Sequence, residues 1–102
     1  MRILAMEVEI PRADWSGAAA LLKDEAHHVY ELYLSGVLRD IWFTESHDAV
    51  IMLECADLAE AETLLGTLPL VTSGLIRFDL KELRPYDGYL RLMEHPGDIS
   101  VE

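Results

Sequence analysis

The sequence predicts an α+β domain in the order βαββαβ, an antiparallel four-stranded sheet with two helices on one of its faces. Two observations carry this reading. Three segments alternate apolar and polar residues with a period of two, a fourth is a short, nearly continuous apolar run, and helical segments stand between the first and second strands and between the third and fourth. The punctuation between them is also of the right kind: Pro11, Gly36, Pro69 and Gly74 stand where one periodicity gives way to the next.

The first strand covers Arg2 to Ile10. Leu4, Met6, Val8 and Ile10 share one face, and Ile3, Ala5, Glu7 and Glu9 the other. Pro11 ends it. The first helix runs from Trp15 to Gly36, with Asp14 or Ser16 as cap and Gly36 as stop. At 100° per residue, Ala18, Leu22, Val29, Leu32 and Gly36 fall within an arc of about 80°. Glu25 falls inside that arc, whereas Lys23, Asp24, His27 and Glu31 lie opposite.

The second strand, Val37 to Glu45, places Val37, Arg39, Ile41 and Phe43 on one face and Leu38, Asp40, Trp42 and Thr44 on the other. The polar run Glu45-Ser46-His47-Asp48 suits a hairpin turn into a third, more buried strand, Ala49 to Ala56. Asp57 with Glu60 forms a capping box for a short helix from Leu58 to about Leu68, which Pro69 ends. The fourth strand, Gly74 to Leu83, puts Ile76, Phe78 and Leu80 on one face and Leu75, Arg77, Asp79 and Lys81 on the other. This is the ferredoxin-like plan. Residues 1–83 form one domain, and 84–102 are a C-terminal extension rich in turn residues, expected to be irregular.

In this plan one sheet face has no helices. Placing Ile3, Leu38, Trp42 and Leu75 there, beside Glu7, Glu9, Arg77 and Asp79, makes it too apolar for water. Burial against a second copy, a homodimer, is the expected outcome; Tyr30 and Leu34, on the polar side of the first helix, hint at a further subunit contact.

The chain has 102 residues and a formal net charge of −11, from 19 acidic and 8 basic side chains. That balance disfavours nucleic acid or an anionic membrane as partner, since both require clustered Lys and Arg. No apolar run reaches the roughly 20 residues of a membrane span. The opening residues lack the pattern of a signal peptide, and a single cysteine, Cys55, excludes an internal disulfide. A cytoplasmic protein is expected. No metal site is expected either, because no histidines stand at i, i+4 with an acidic third ligand. The serines lack a nucleophile-elbow context, the six glycines are too scattered for a phosphate loop, and no cofactor is implied.

Glu25 is the first candidate for chemistry. A carboxylate aimed into an apolar face either finds a partner or has its pKa raised, and the raised form suits a general base or proton shuttle. Arg39, on the helix-covered side in this reading, needs an anion: Glu25 itself or a ligand carboxylate. A structural Glu25–Arg39 pair and a substrate clamp are both open. His47 lies in the hairpin turn. His28, at the edge of the apolar arc, is within reach of a pocket; His27 points about 100° away from it, so the two do not chelate. His95 lies in the tail.

The run KDEAHHVYELYLSGVLRDIWFTESH, with TLPLV further on, resembles the muconolactone isomerase family of the dimeric α/β-barrel superfamily. Asp24-Glu25, Gly36, Arg39, Trp42, His47 and Leu68-Pro69-Leu70 stand at the positions of that family's pattern, over a likeness spanning roughly Met1 to Leu83. The resemblance implies a proton moved between carbons of a small unsaturated lactone without a cofactor. Glu25 is then the catalytic shuttle, with Arg39, His47, Trp42 and His28 as substrate-binding groups. The tail departs from the family, and the chain is strongly acidic for a binder of an acid. Two other readings stand beside this one: a cofactorless monooxygenase of the same fold acting on an aromatic substrate, and a non-catalytic ligand-binding or assembly module in which Glu25 and Arg39 satisfy each other.

Overall fold

A computed structural model describes residues Met1–Met93. Its elements are β1 (Arg2–Glu9), α1 (Ala19–Leu34), β2 (Leu38–Phe43), β3 (Ala49–Glu54), α2 (Leu58–Leu65), α3 (Pro69–Thr72) and β4 (Ile76–Leu83), followed by a 3₁₀ helix over Gly88–Met93. The four strands form one antiparallel sheet in the order β2-β3-β1-β4. This is the ferredoxin-like α+β arrangement that the order of periodicities predicts.

The central pair sets the core. Ile3 stands opposite Leu53 and Ala5 opposite Ile51, and all four are buried on the helix-covered side. Leu38, Leu68 and Ile76 complete the set of large, fully buried side chains. From α1, Val29 and Leu32 pack against this cluster; α2 contributes Ala61 and Leu65. Each fully buried Leu or Ile of this set contributes about 1.5–3 kcal/mol by leaving water, which offsets the entropy of ordering the chain. Cys55 is buried in the same cluster as a small hydrophobe.

Local chemistry places the ends. Asp57 accepts the Glu60 N–H at 2.8 Å, and the Glu60 carboxylate reaches back to the Ala56 N–H, also at 2.8 Å. The capping box therefore forms with its return bond one residue before the cap. Gly36, with φ +86, takes the left-handed conformation that ends α1 at little steric cost. Helix α1 starts later than expected, at Ala19, because Asp14 uses its carboxylate on the Ser16 N–H in a local turn and Trp15 stays outside the helix. Pro69 does not simply end α2. It is the first residue of α3, where its missing N–H is no loss.

Three residues placed on the open sheet face by alternation, Ile3, Leu38 and Leu75, are instead buried in the core. For Leu38 the cause is a β-bulge: Leu38 pairs with Leu53 and Asp40 with Met52, so the strand gains a residue at Arg39 and changes phase. Leu75 precedes β4, directly after Gly74 at φ +77, and tucks against Leu70 and Ile76. For Ile3 the pleat was read correctly but the side was inverted. In β1 the helices cover Ile3, Ala5 and Glu7, while Leu4, Met6 and Val8 face away. Two apolar strand faces look alike when both are meant to be covered. The open face thus carries Leu4, Met6, Val8, Val50, Met52 and Trp42, with Arg77 and Asp79 hydrogen-bonded to each other on β4.

The tail is more regular than expected as far as Met93: Tyr86 and Tyr89 pack edge to face at 4.9 Å across the start of the 3₁₀ helix. His95 and the rest of the extension lie outside the described residues. No helix among the described residues is long and apolar enough to cross a membrane.

Replacing Asp57 with Ala removes a cap bond while leaving the core intact. It is expected to lower stability by about 1 kcal/mol with an unchanged urea m value. A loss below a few tenths would mean that α2 does not depend on its cap.

Candidate functional site

Between α1, α3 and the helix-covered face of the sheet lies a cavity of about 420 Å³. Its position follows from how α1 packs. The stripe of Val29 and Leu32 seats the C-terminal half of the helix on the core. The same stripe continues one and two turns earlier through Glu25 and Leu22, beyond the point where the core is filled. Small side chains, Ala26 above and Ala49 below, leave the intervening space open. The walls are otherwise Trp15, Ile41, Phe43, Ile51, Leu70, Ile76 and Phe78, with Glu7, Glu25 and His47 as the ionisable members.

Glu25 is half-buried. Its Oε1 accepts the Leu70 N–H at 3.0 Å, which satisfies a donor in the first turn of α3. Burial pushes its carboxyl above the ordinary value of 4.5; the Leu70 bond and nearby His28 work in the opposite direction, and Glu7 adds to the rise. Desolvation wins because one neutral hydrogen bond compensates a buried carboxylate only partly.

Glu7 enters from β1. Its Oε1 accepts the Ala49 N–H at 2.9 Å, so the carboxylate pins the first residue of β3 from inside the cavity. His47 enters from the hairpin between β2 and β3. It has φ +66, in the left-handed region, within a turn in which Thr44 accepts its N–H at 2.9 Å. That conformation lays its ring over Phe43, with centroids 3.9 Å apart. Trp15 contributes its ring to the wall, and its Nε1 is buried without a hydrogen-bond partner among the described residues.

Of the five residues singled out in the sequence, the structure brings Glu25 and His47 to the cavity. The other three lie elsewhere. Arg39 sits at the bulge, exposed, its Nε donating to the Gly36 carbonyl at 2.7 Å, and it makes no pair with Glu25. The extra residue of the bulge removes it from the helix-covered side. Trp42, opposite Val50, is on the open sheet face and 68% exposed. His28 is exposed on α1, its Nδ1 3.0 Å from the Asp24 carbonyl one turn back. Glu7, Trp15 and Phe78 were not singled out. Glu7 shares a strand face with Ile3, Ala5 and Glu9; the face is mixed, and only the burial of its Ile3–Ala5 end places Glu7 at the cavity.

An acid beside an apolar cavity, on the helix side of a ferredoxin-like sheet, is the arrangement that the described residues build. Solved structures resemble the chain in fold. Muconolactone isomerase matches with a TM-score of 0.67 and 18% identity, over 86% of this chain and 93% of its own. The 5-chloro-2-hydroxyhydroquinone dehydrochlorinase of Burkholderia phenoliruptrix AC1100, solved with 2,5-dihydroxybenzoquinone, matches with a TM-score of 0.60 and 13% identity, over 84% and 96%. The chain therefore has the muconolactone isomerase fold. No protein-family model and no curated protein matches the sequence.

The pKa direction at Glu25 has a consequence for stability. A carboxyl whose folded pKa lies above its unfolded one binds protons more tightly when folded. Its ionised form therefore costs stability above the folded pKa, and that cost disappears as pH falls to about the ordinary value of 4.5. Glu25→Gln keeps an acceptor for the Leu70 N–H without the charge. It is expected to be more stable than the parent at neutral pH, with the difference shrinking toward acid pH. Denaturation midpoints measured from pH 8 down to 4.5 check this; a constant difference would contradict it.

Proposed function

We propose that the chain is a small cofactor-free enzyme of the isomerase or lyase type, acting in this cavity on a small cyclic carbonyl compound, with Glu25 as its acid/base. One observation carries the reading: a half-buried carboxyl, with its pKa raised by burial, borders a cavity large enough for a one- or two-ring molecule. In the proposed reaction the substrate is an unsaturated lactone or related ring whose C=C bond lies next to the carbon flanking the carbonyl. Glu25 takes a proton from that flanking carbon and returns it to the far carbon of the C=C, so that the double bond shifts by one position toward the carbonyl. The C–H electron pair moves into the ring as an enolate and then into the new C–H bond. The apolar walls keep water from the carbanion-like intermediate, and a raised pKa narrows the energy gap between the carboxyl and the carbon acid. His47, at the hairpin and stacked on Phe43, is placed to orient the ring or to donate to the enolate oxygen.

The likeness in fold to an isomerase and a dehydrochlorinase supports this class of chemistry without naming a substrate. A non-catalytic ligand-binding or assembly module in which Glu25 and Arg39 only satisfy each other would require the two to meet. Arg39 bonds the Gly36 carbonyl instead, which speaks against that pairing, while turnover separates an enzyme from a binding module. Glu25→Gln should lower kcat on a turned-over substrate by about 10²–10⁴-fold with the fold retained, and unchanged turnover would remove Glu25 from the mechanism. The reaction should consume no dioxygen; stoichiometric uptake at an oxygen electrode would favour a monooxygenase instead.

The quaternary part of the proposal is a homodimer formed through the open sheet face. Leu4, Met6, Val8, Val50 and Met52 run down its middle, and Trp42 stands out beside them. Light scattering should give twice the chain mass at micromolar concentration. Trp42→Glu should shift it toward the monomer by placing a charge in the contact. A monomeric parent would refute the dimer.

A further inference from the structure

The two carboxylates of the cavity bear on what it can hold, an inference that rests on the reading of this cavity as the binding site. Among the described residues, no Lys or Arg lines it, and the cation that the sequence pattern suggested as an anion clamp, Arg39, is held outside by its bond to Gly36. Glu7 and Glu25 stand on opposite walls, one on the sheet and one on α1, each with one oxygen engaged by a backbone N–H. Neither forms a salt bridge with a Lys or Arg among the described residues; the neighbouring imidazoles are His28, on the outer side of α1 near Glu25, and His47 at the hairpin. A carboxylate ligand entering this space would lose its hydration, meet apolar walls and face like charge from two sides. An ammonium would find opposite charge but would still leave water for a mainly apolar lining. An uncharged ring pays neither cost, and a hydroxyl on it can donate to a carboxylate oxygen.

We propose that this is an anion-excluding site for an uncharged, hydroxyl-bearing ring compound, and that Glu7 is its specificity-determining residue. Glu7 suits that role better than Glu25 because β1, flanked by β3 and β4, holds it in the middle of the sheet. Its bond to Ala49 further fixes the carboxylate against the cavity floor.

Three probes with one ring system separate charge from shape: 2-naphthol, 2-naphthoate and 2-naphthylmethylammonium, titrated calorimetrically into the full chain at neutral pH. The two tryptophans report where they bind, since Trp15 lines the cavity and Trp42 lies on the opposite side of the sheet. Expected is 2-naphthol binding at least about tenfold more tightly than either charged probe, with the indole N–H resonance of Trp15 shifting and that of Trp42 unmoved. Glu7→Gln, which retains an acceptor for the Ala49 N–H, should lower the naphthol-to-naphthoate preference by about fivefold or more. Equal or tighter binding of either charged probe at Trp15 overturns the charge selection while leaving the cavity as the site. A preference unaltered in Glu7→Gln overturns the role of Glu7. If no probe shifts Trp15, both the selection and the cavity reading fall. Proton transfer by Glu25 is judged separately, by the turnover of Glu25→Gln.

Discussion

The bond from the Leu70 N–H to the Glu25 carboxylate holds the site together. It is the polar link between α1 and α3, two elements that share the rim of the cavity but come from opposite halves of the chain. A four-residue helix such as α3 has little stability of its own, so its first turn depends on partners outside it. Glu25 supplies one, and α3 in turn closes one side of the space that keeps the carboxyl half-buried. Packing and proton affinity are thus coupled in a single residue. Burial raises the Glu25 pKa, and the bond to Leu70 offsets that rise only in part.

A second acid supports the opposite wall in the same manner. Glu7 binds the Ala49 N–H where β3 begins, and the small Ala49 side chain leaves the floor of the cavity open. Both carboxylates therefore do structural work on backbone amides and still present negative charge to the interior. The outcome is a mainly apolar chamber with acceptors at two points and no fixed cation in its described lining. That combination tolerates neutral, hydrogen-bond-donating rings better than acids. It also separates this site from the carboxylate-binding one implied by the sequence resemblance, although the two folds superpose over most of their lengths.

Much of the architecture was legible because it depends on local pattern. Alternation marked β1, β2 and β4, a short apolar run marked β3, the Asp57–Glu60 spacing marked the start of α2, and Gly36 marked the end of α1. The helix stripe also placed Glu25 on the core side, since a side chain's angle about a helix is a property of spacing alone. The misplacements in β2 have one common cause. Arg39 and Leu38 were assigned by counting twos through β2, and a single bulge shifts that count. Helix α3 escaped notice because a proline reads equally well as the end of one helix or the start of another.

By itself, the sequence determined the order of the elements, the ferredoxin-like plan and the presence of an acid on the buried stripe of α1. These follow from periodicity, capping and backbone preference, which act over a few residues. Tertiary structure alone decided which apolar face of β1 is covered, that Glu7 and Trp15 join Glu25 at a cavity, and that Arg39, Trp42 and His28 do not. Those outcomes depend on strand register and on how far α1 lies over the sheet before the core is full. Packing sets both over tens of residues, and no local spacing encodes them.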